Sequence, residues 1–208
     1  MLNLAPTERV WPMSAEVDPQ GLGLEHGDHV CGFYYSAEER DAMLLPYLRE
    51  SLQNGHKCVA VVDSLTPDEL AERVDGAREA MASGQLELFN SEQTYLQTGV
   101  FDPELTIAFW EHRAQQLVDD REYGFIRLLG ELSWIDRTGT PREDIVRYES
   151  WADNFVSRYP MTILCLYDLR RMGSSVMMDL LRTHPRLLMG GLLLENPHHI
   201  ASDDFTAA

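Results

Sequence analysis

Apolar residues follow two alternating patterns along this chain. Continuous apolar runs, as at 58–62 and 162–167, are typical of strands that are covered on both faces of a parallel sheet. Between these runs, apolar residues recur at every third or fourth position, as expected for a helix with one buried side. The two patterns predict strands at 28–35, 58–62, 86–89, 124–131, 162–168 and 187–194, and helices at 37–53, 66–84, 103–120, 142–158 and 174–182.

Strands that alternate with helices predict an α/β fold class. We expect a three-layer architecture, with a mostly parallel central sheet and helices on both faces. Local signals agree, because Ser36 with Glu39 three residues later forms a capping box that begins a helix, and Asn54-Gly55 ends it. On such a sheet, ligands bind at the carboxyl ends of the strands.

Length and composition favour a single domain. A chain of 208 residues can bury one sizeable core. Residues 1–24 contain proline and glycine without sustained periodicity, which predicts a flexible N-terminal arm. We expect residues 25–197 to form one domain and 198–208 to form a polar tail in which His198 and His199 are exposed.

Charge and cysteine content exclude several classes of protein. The 34 acidic and 17 basic residues give a formal net charge of −17, which repels nucleic-acid phosphates and argues against direct nucleic-acid binding. No apolar run approaches the roughly 20 residues that cross a bilayer, so we expect a cytoplasmic protein without membrane contact. The three widely spaced cysteines, Cys31, Cys58 and Cys165, predict buried reduced thiols; the alternative is a ligand, metal or redox role for Cys31.

The first predicted strand carries the first candidate site residues. His29 and Cys31 lie two positions apart, so their side chains share one face of the strand. The junction after this strand lacks the glycine-rich loop and lysine with which many α/β domains bind phosphate. Three interpretations stay open: a small-molecule pocket on this face, a structural role, or a metal or haem site. The only plausible further metal ligands are Cys165, Asp168 and His184. Because their spacing matches no zinc signature, we assign no metal ligand and expect no cofactor.

Further candidates lie near strand ends or on one helix. Glu131 and Trp134 place a carboxylate and an aromatic ring at the expected ligand rim, although Glu131 can equally cap a helix or pair with an arginine. Glu149 lies among aromatic residues, either as a buried acid with a raised pKa or as a solvated or paired glutamate. Asp168 ends an apolar strand, where hydrogen bonds to loop amides are favoured. His184-Pro185 is interpreted as a rigid turn or as part of the site.

The order of these residues resembles the MEDS family, the sensory domains of methanogen and methylotroph regulators and of a dichloromethane regulator. The resemblance covers about residues 24–197. It implies a fold similar to RecA-type ATPases without the phosphate-binding loop, and a role in small-molecule sensing for signal transduction or transcription control. The matching elements are His29-Val30-Cys31-Gly32-Phe33-Tyr34, Glu38 or Glu39, Gly55, Tyr95, Phe101-Asp102, Gly130-Glu131, Trp134, Tyr148-Glu149, Cys165-Leu166-Tyr167-Asp168 and His184-Pro185.

We therefore expect a non-enzymatic regulatory domain that binds a small molecule at the carboxyl ends of the strands. Because residues 1–208 carry no DNA-binding or kinase module of the kind that family members often have, its output is expected to pass through a regulatory protein partner. One alternative is a protein-interaction module with a vestigial site, whose acidic surface docks a transcription or kinase partner; another is a metal- or haem-binding sensor. A homodimer is also expected. The final strand is apolar enough to be buried in the sheet, but at an edge it could instead pair with a second copy. The expected ligand-binding residues are His29, Cys31, Phe33, Tyr34, Glu131, Trp134, Glu149, Asp168 and His184.

Overall fold

Within residues 22–120 and 122–200, which the computed structural model describes, seven strands form one sheet flanked by helices. The strands are β1 (His29–Tyr34), β2 (Lys57–Val61), β3 (Leu86–Phe89), β4 (Ile126–Glu131), β5 (Met161–Asp168), β6 (Arg186–Met189) and β7 (Leu192–Glu195). The helices are α1 (Ala37–Gln53), α2 (Pro67–Arg73), α3 (Ala77–Ser83), α4 (Pro103–Asp119), α5 (Ile135–Thr138), α6 (Arg142–Val156) and α7 (Ser174–Thr183).

The sheet has the strand order β3-β2-β4-β5-β1-β6-β7. All neighbouring strands are parallel except β6 and β7, which are antiparallel. In the centre, β1 pairs with β5 so that Cys31 lies beside Cys165 and Tyr34 beside Asp168. The predicted α/β fold with a mostly parallel sheet is confirmed.

Helices cover both faces of the sheet, each over its own apolar core. On one face, α1, α2 and α3 pack with residues such as Val30 and Leu164. On the other, α4, α6 and α7 pack with residues such as Cys31 and Cys165. Because side chains of a strand alternate between faces, neighbouring positions of β1 and β5 enter different cores.

The predicted final strand at 187–194 is wrong as a single strand. It is a hairpin of β6 and β7 that turns at Gly190 and Gly191, whose φ angles are +57° and +79°. Two consecutive residues with positive φ form the tight turn that joins antiparallel strands, and glycine adopts that conformation without a steric penalty. The hairpin places β7 at the edge of the sheet, so Leu192 and Leu194 are exposed rather than buried.

Three local features also differ from the expectation. The helix predicted at 66–84 is divided into α2 and α3, with Gly76 at φ +78° between them. Leu22, predicted to lie in the arm, is buried, and its backbone N–H donates to Glu50 at 2.7 Å. His199 is only partly exposed and lies 3.2 Å from Asp153. Most of the predicted arm and tail, 1–21 and 201–208, lies outside the described residues, so the domain limits stay a prediction.

None of the helices within the described residues is long and apolar enough to cross a membrane.

Candidate functional site

The predicted site residues lie on opposite faces of the sheet and do not surround one pocket. β1 directs His29 and Cys31 towards the core under α6 and α7, and Tyr34 towards the core under α1. The structure therefore does not place all of these residues around one ligand at the carboxyl ends of the strands, as was expected. The buried group contains His29, Cys31, Glu149 and His184, and the group at the carboxyl ends contains Tyr34, Glu131 and Asp168.

Four side chains with metal-ligand chemistry converge in the buried group. They are His29 of β1, Glu149 of α6, Cys165 of β5 and His184 at the end of α7, and their donor atoms all lie within 4.8 Å of one another. Nε2 of His29 is 3.3 Å from Oε2 of Glu149, and Nε2 of His184 is 3.4 Å from the same oxygen. Sγ of Cys165 is 3.7 Å from Nε2 of His29 and 3.8 Å from Oε2 of Glu149. Cys31, the predicted partner of His29, is outside this set.

Neighbouring polar groups orient three of these four side chains, those of Glu149, His29 and His184. The Tyr167 hydroxyl donates to Oε1 of Glu149 at 2.6 Å, which directs Oε2 towards the two imidazoles. Oδ1 of Asp153 lies 3.7 Å from Nδ1 of His29. Nδ1 of His184 is 2.7 Å from the carbonyl oxygen of Leu180. Because a carbonyl oxygen can only accept, this nitrogen carries the proton, and in a neutral ring Nε2 presents its lone pair to the group.

Burial and charge set the protonation of this group. Burial and the charge of the neighbouring His29 lower the pKa of His184 to about 3, so its ring is neutral. For His29, burial alone would lower the pKa, but the nearby carboxylates of Asp153 and Glu149 raise it above its ordinary value. Burial alone would also raise the pKa of Glu149, but the hydrogen bond with His29, the charge of His29 and the hydrogen bond from Tyr167 hold the pKa low. Glu149 is thus buried, as one of the two interpretations expected, but its pKa is lowered rather than raised.

The second group is centred on Glu131 at the end of β4. Its side chain is buried, and Oε1 accepts from the Tyr34 hydroxyl at 3.1 Å. Oε2 accepts from the backbone N–H groups of Asp63 and Ser64, both at 3.1 Å. A guanidinium nitrogen of Arg40 lies 4.0 Å from Oε1. Glu131 therefore binds the loop that follows β2, which is closer to the capping interpretation than to the exposed rim.

Asp168 lies in the same region, at the end of β5. It accepts from the backbone N–H and the guanidinium of Arg170, and Arg171 lies 3.4 Å away. The hydrogen bonds from Arg170 hold the pKa of this carboxyl below its usual value. The predicted hydrogen bond to a loop amide is present, with two arginines in addition. These side chains line an open cleft of about 280 Å³, together with Tyr34, Arg40, Asp63, Ser64 and Glu131.

A second cleft of about 220 Å³ continues from the first. The two clefts share Ser133, Asp168 and Arg171, and the second extends between the loops that follow β4 and β5. Its inner surface is more apolar, since it contains Leu132, Ile135, Ile145, Met172 and Val176. The two clefts together give a charged end beside an apolar end.

Two predicted residues belong to neither group. Trp134 is buried, stacks on Tyr95 with ring centroids 5.1 Å apart, and contacts Phe101. It therefore belongs to the aromatic core beneath α4 and α6 rather than to the ligand rim. Phe33 is half-buried, with its ring 5.9 Å from that of Tyr167.

Sequence reasoning missed several residues of these sites. Tyr167 follows from the register of β5 against β1, which places its side chain on the face of His29 and Cys31, as it does for Cys165, which the sequence had already offered as a possible metal ligand. Arg40 and Asp153 carry no local signal, because each meets its partner only through the packing of a helix on the sheet. Asp63 gave a usable signal, since it directly follows a buried strand.

Comparisons with known proteins agree with this fold. Residues 28–185 match the family described as MEDS, for MEthanogen/methylotroph, DcmR Sensory domain. The transcriptional repressor DcmR of Methylorubrum extorquens is 21% identical over 182 residues, which cover 82% of this chain and 63% of the repressor's length. Flagellar accessory protein FlaH from Methanocaldococcus jannaschii superposes with a TM-score of 0.57 at 14% identity, over 87% of this chain and 83% of FlaH. The superposition on FlaH shows that the fold is RecA-like.

The family and the repressor both indicate a role in regulatory sensing. The family match spans most of the chain, including both groups of polar residues described above. The chain belongs to the MEDS family of sensory domains.

Proposed function

We propose that this domain is a non-enzymatic sensor that binds a small molecule in the continuous cleft at the carboxyl ends of β1, β4 and β5. The observation that carries this proposal is the cleft itself, with charged residues at one end and apolar residues at the other. It lies where parallel α/β sheets bind their ligands. Its two parts, about 280 and 220 Å³, suit a small molecule.

The lining defines the expected chemistry of the ligand. An apolar group would contact Leu132, Ile145 and Val176, while a polar group would face Asp168 and Arg171. Binding at the junction of both loops would change how they pack. A ligand shifts such an equilibrium only through its different affinity for the two states, so the free and bound loop arrangements must differ in contacts with the ligand.

The same region is poorly suited to a nucleotide, which supports the non-enzymatic part of the proposal. At the start of α1, the Ser36 hydroxyl accepts from the Glu39 backbone N–H at 3.1 Å, and the Glu39 carboxylate accepts from the Tyr35 N–H at 2.6 Å. Side chains of the protein therefore occupy amide groups that would otherwise be available to a phosphate. The nearby carboxylates of Glu131 and Asp168 would also repel a phosphate.

A thermal-shift screen of small amphipathic molecules tests the proposal. Ser133 lines both parts of the cleft, so the variant Ser133→Trp would fill it. The matched control is Ser157→Trp, at the exposed end of α6. Compounds that stabilise the wild type and the control but not Ser133→Trp support the proposal. If no compound stabilises the wild type, or if Ser133→Trp responds equally, the proposal is rejected.

The charge of −17 favours a second candidate, a protein-interaction module that relays the signal to a basic regulatory partner. Association through complementary charge weakens as salt rises. This candidate predicts a partner whose binding falls with salt and is unchanged in Ser133→Trp. Binding that ignores salt would reject it. The cytoplasmic location expected from the sequence stays a prediction.

Homodimer formation stays a proposal, with edge strand β7 as the contact. Leu192 and Leu194 are exposed there, beside Met189 of β6. An exposed edge strand with apolar side chains is a template for pairing with a second copy. Light scattering after gel filtration is expected to give a dimer mass for the wild type and a monomer mass for Leu192→Lys. A wild-type monomer would exclude this contact.

A further inference from the structure

We infer that His29, Glu149, Cys165 and His184 form a closed binding site for one divalent transition-metal ion of the zinc class. This inference goes beyond the proposed function, because the group lies on the opposite face of the sheet from Tyr34 and Glu131. It rests on the distances between the four donor atoms, on the tautomer of His184, and on the polar groups behind the ligands.

The distances between the donor atoms fit a tetrahedron around zinc. Zinc bonds of about 2.0–2.2 Å to nitrogen and oxygen and about 2.3 Å to sulfur give tetrahedral edges of about 3.4 Å between nitrogen and oxygen and about 3.6 Å to sulfur. The two nitrogen-to-oxygen distances are 3.3 and 3.4 Å. The distances from Sγ of Cys165 are 3.7 Å to nitrogen and 3.8 Å to oxygen. Four of the six distances between donor atoms therefore match a tetrahedron within about 0.2 Å, and all six are at most 4.8 Å.

The direction of the His184 ring gives an independent observation. Its Nδ1–H donates to the Leu180 carbonyl, so Nε2 directs a lone pair towards Oε2 of Glu149, which also presents lone pairs. Nε2 of His184 is fully buried and has no hydrogen-bond partner among the described residues. His29 and Cys165 contact Oε2 of Glu149 but leave Nε2 of His184 without a partner, and a buried lone pair that faces a carboxylate oxygen is unfavourable unless a cation or a proton lies between them. A metal ion bound by both satisfies each of them.

The groups behind the ligands have the arrangement typical of metal sites. A ligating histidine usually donates its other ring N–H to a carbonyl or carboxylate, which fixes the ring. Leu180 has that role for His184, and Asp153 is the carboxylate nearest to Nδ1 of His29. The Tyr167 hydroxyl orients Glu149 in the same way, through its other oxygen.

Charge and size select the occupant. A divalent ion bound by one thiolate, one carboxylate and two neutral imidazoles is neutral overall, which suits a site with no solvent exposure. On binding, the Cys165 thiol and Nε2 of His29, which faces Glu149, each lose a proton to solvent as the metal–sulfur and metal–nitrogen bonds form. Imidazole and thiolate ligands favour zinc over calcium or magnesium. Four donor atoms within 4.8 Å of one another enclose a single ion and leave no space for a haem between them.

The elements that supply the ligands indicate a structural effect. β1, β5, α6 and the end of α7 each contribute one ligand, so the ion would fix two helices to the sheet. Sites with four protein ligands and no open position are characteristic of structural zinc. Because the site is buried, the full 208-residue chain should bind metal as it folds.

The test refolds the full chain with Co²⁺ and, separately, with Zn²⁺. We expect one Co²⁺ per chain, with the intense visible bands of tetrahedral cobalt and a thiolate-to-cobalt charge-transfer band. Cys165→Ser should lose the charge-transfer band, and its affinity should fall at least roughly 100-fold, since even outer-shell partners are worth about 10–100-fold. Cys31→Ser, the neighbouring thiol in the sheet, is the matched control and should keep both.

Absorption spectroscopy at the zinc edge of the wild type makes the test independent of the folding of any variant. One sulfur at about 2.3 Å with three nitrogen or oxygen atoms at about 2.0–2.2 Å is the expected shell. Two sulfurs, or a charge-transfer band lost in Cys31→Ser and kept in Cys165→Ser, would overturn the assignment. A wild-type chain that refolds without binding either metal would overturn the inference as a whole.

Discussion

The two groups of polar residues share the strands β1 and β5 but lie in opposite environments. Around Glu149, the side chains are fully enclosed and contact one another directly. Around Asp168, the arginine partners are about half exposed and line an open cleft. Buried polar groups depend on one another for stability, whereas solvent replaces any partner lost at the surface. The comparison teaches that one sheet can hold an enclosed polar group and an open polar cleft only one residue apart along a strand.

Replacement of Glu149 is expected to have the largest effect. Glu149→Gln removes the charge that His29 and His184 face and weakens the acceptor of the Tyr167 hydroxyl. Breaking a buried ion pair costs about 3–5 kcal/mol, so we expect a loss of about 3 kcal/mol or more in urea unfolding, with a chelator present to remove any metal. Glu143→Gln, at an exposed position of the same helix, should change stability little. Equal effects of the two changes would show that the buried group contributes no more than a surface charge.

Replacement of Glu131 is expected to have a smaller but clear effect. In Glu131→Gln, the new amide group can accept from only one side, so either Tyr34 or the N–H groups of Asp63 and Ser64 lose their acceptor. An unsatisfied buried donor costs about 1–3 kcal/mol, and we expect about 2 kcal/mol in urea unfolding. The control is Glu92→Gln, at an exposed position just after β3. A loss as large as that of Glu149→Gln would remove the distinction between the two regions.

Two glycines test how rigid each face of the sheet is. A Cβ at Gly130 would lie 2.7 Å from the hydroxyl of Tyr95, whose ring is stacked on Trp134. A Cβ at Gly32 would lie 2.7 Å from a terminal methyl of Leu166 and 2.9 Å from the sulfur of Met43, both in flexible side chains. Overpacking costs about 1–3 kcal/mol, so we expect Gly130→Ala near 2 and Gly32→Ala near 1 kcal/mol. The reverse order in thermal unfolding would place the rigid packing on the α1 face.

The sequence was sufficient for most of the elements and for their order, because each of the long ones has a strong period of its own, but it missed the short helix α5 and the division between α2 and α3. The apolar run at 187–194 predicted one strand, but Gly190 and Gly191, both with positive φ, form a turn within it. The alternation along β1 already separated His29 from Tyr34, and a strict use of that rule would have predicted two sites. Glu149 and Asp153 could not be placed near His29, since their contacts depend on how α6 packs on the sheet.

Replacement of Arg170 is expected to have the smallest effect. Its guanidinium donates to Asp168 and lowers the pKa of that carboxyl, yet about half of the Arg170 side chain is exposed. A carboxyl whose pKa is depressed in the folded state adds stability above its unfolded pKa and loses it as the pH falls through the folded value. Arg170→Gln should therefore cost under about 1 kcal/mol at pH 7, and the difference from the wild type should fade in strong acid. Urea unfolding at both pH values measures this, with Arg78→Gln in the exposed pair with Asp68 as the control. A loss comparable to that of Glu149→Gln would mean that the cleft is a fixed network rather than an open site, and the sensing proposal would lose its structural basis.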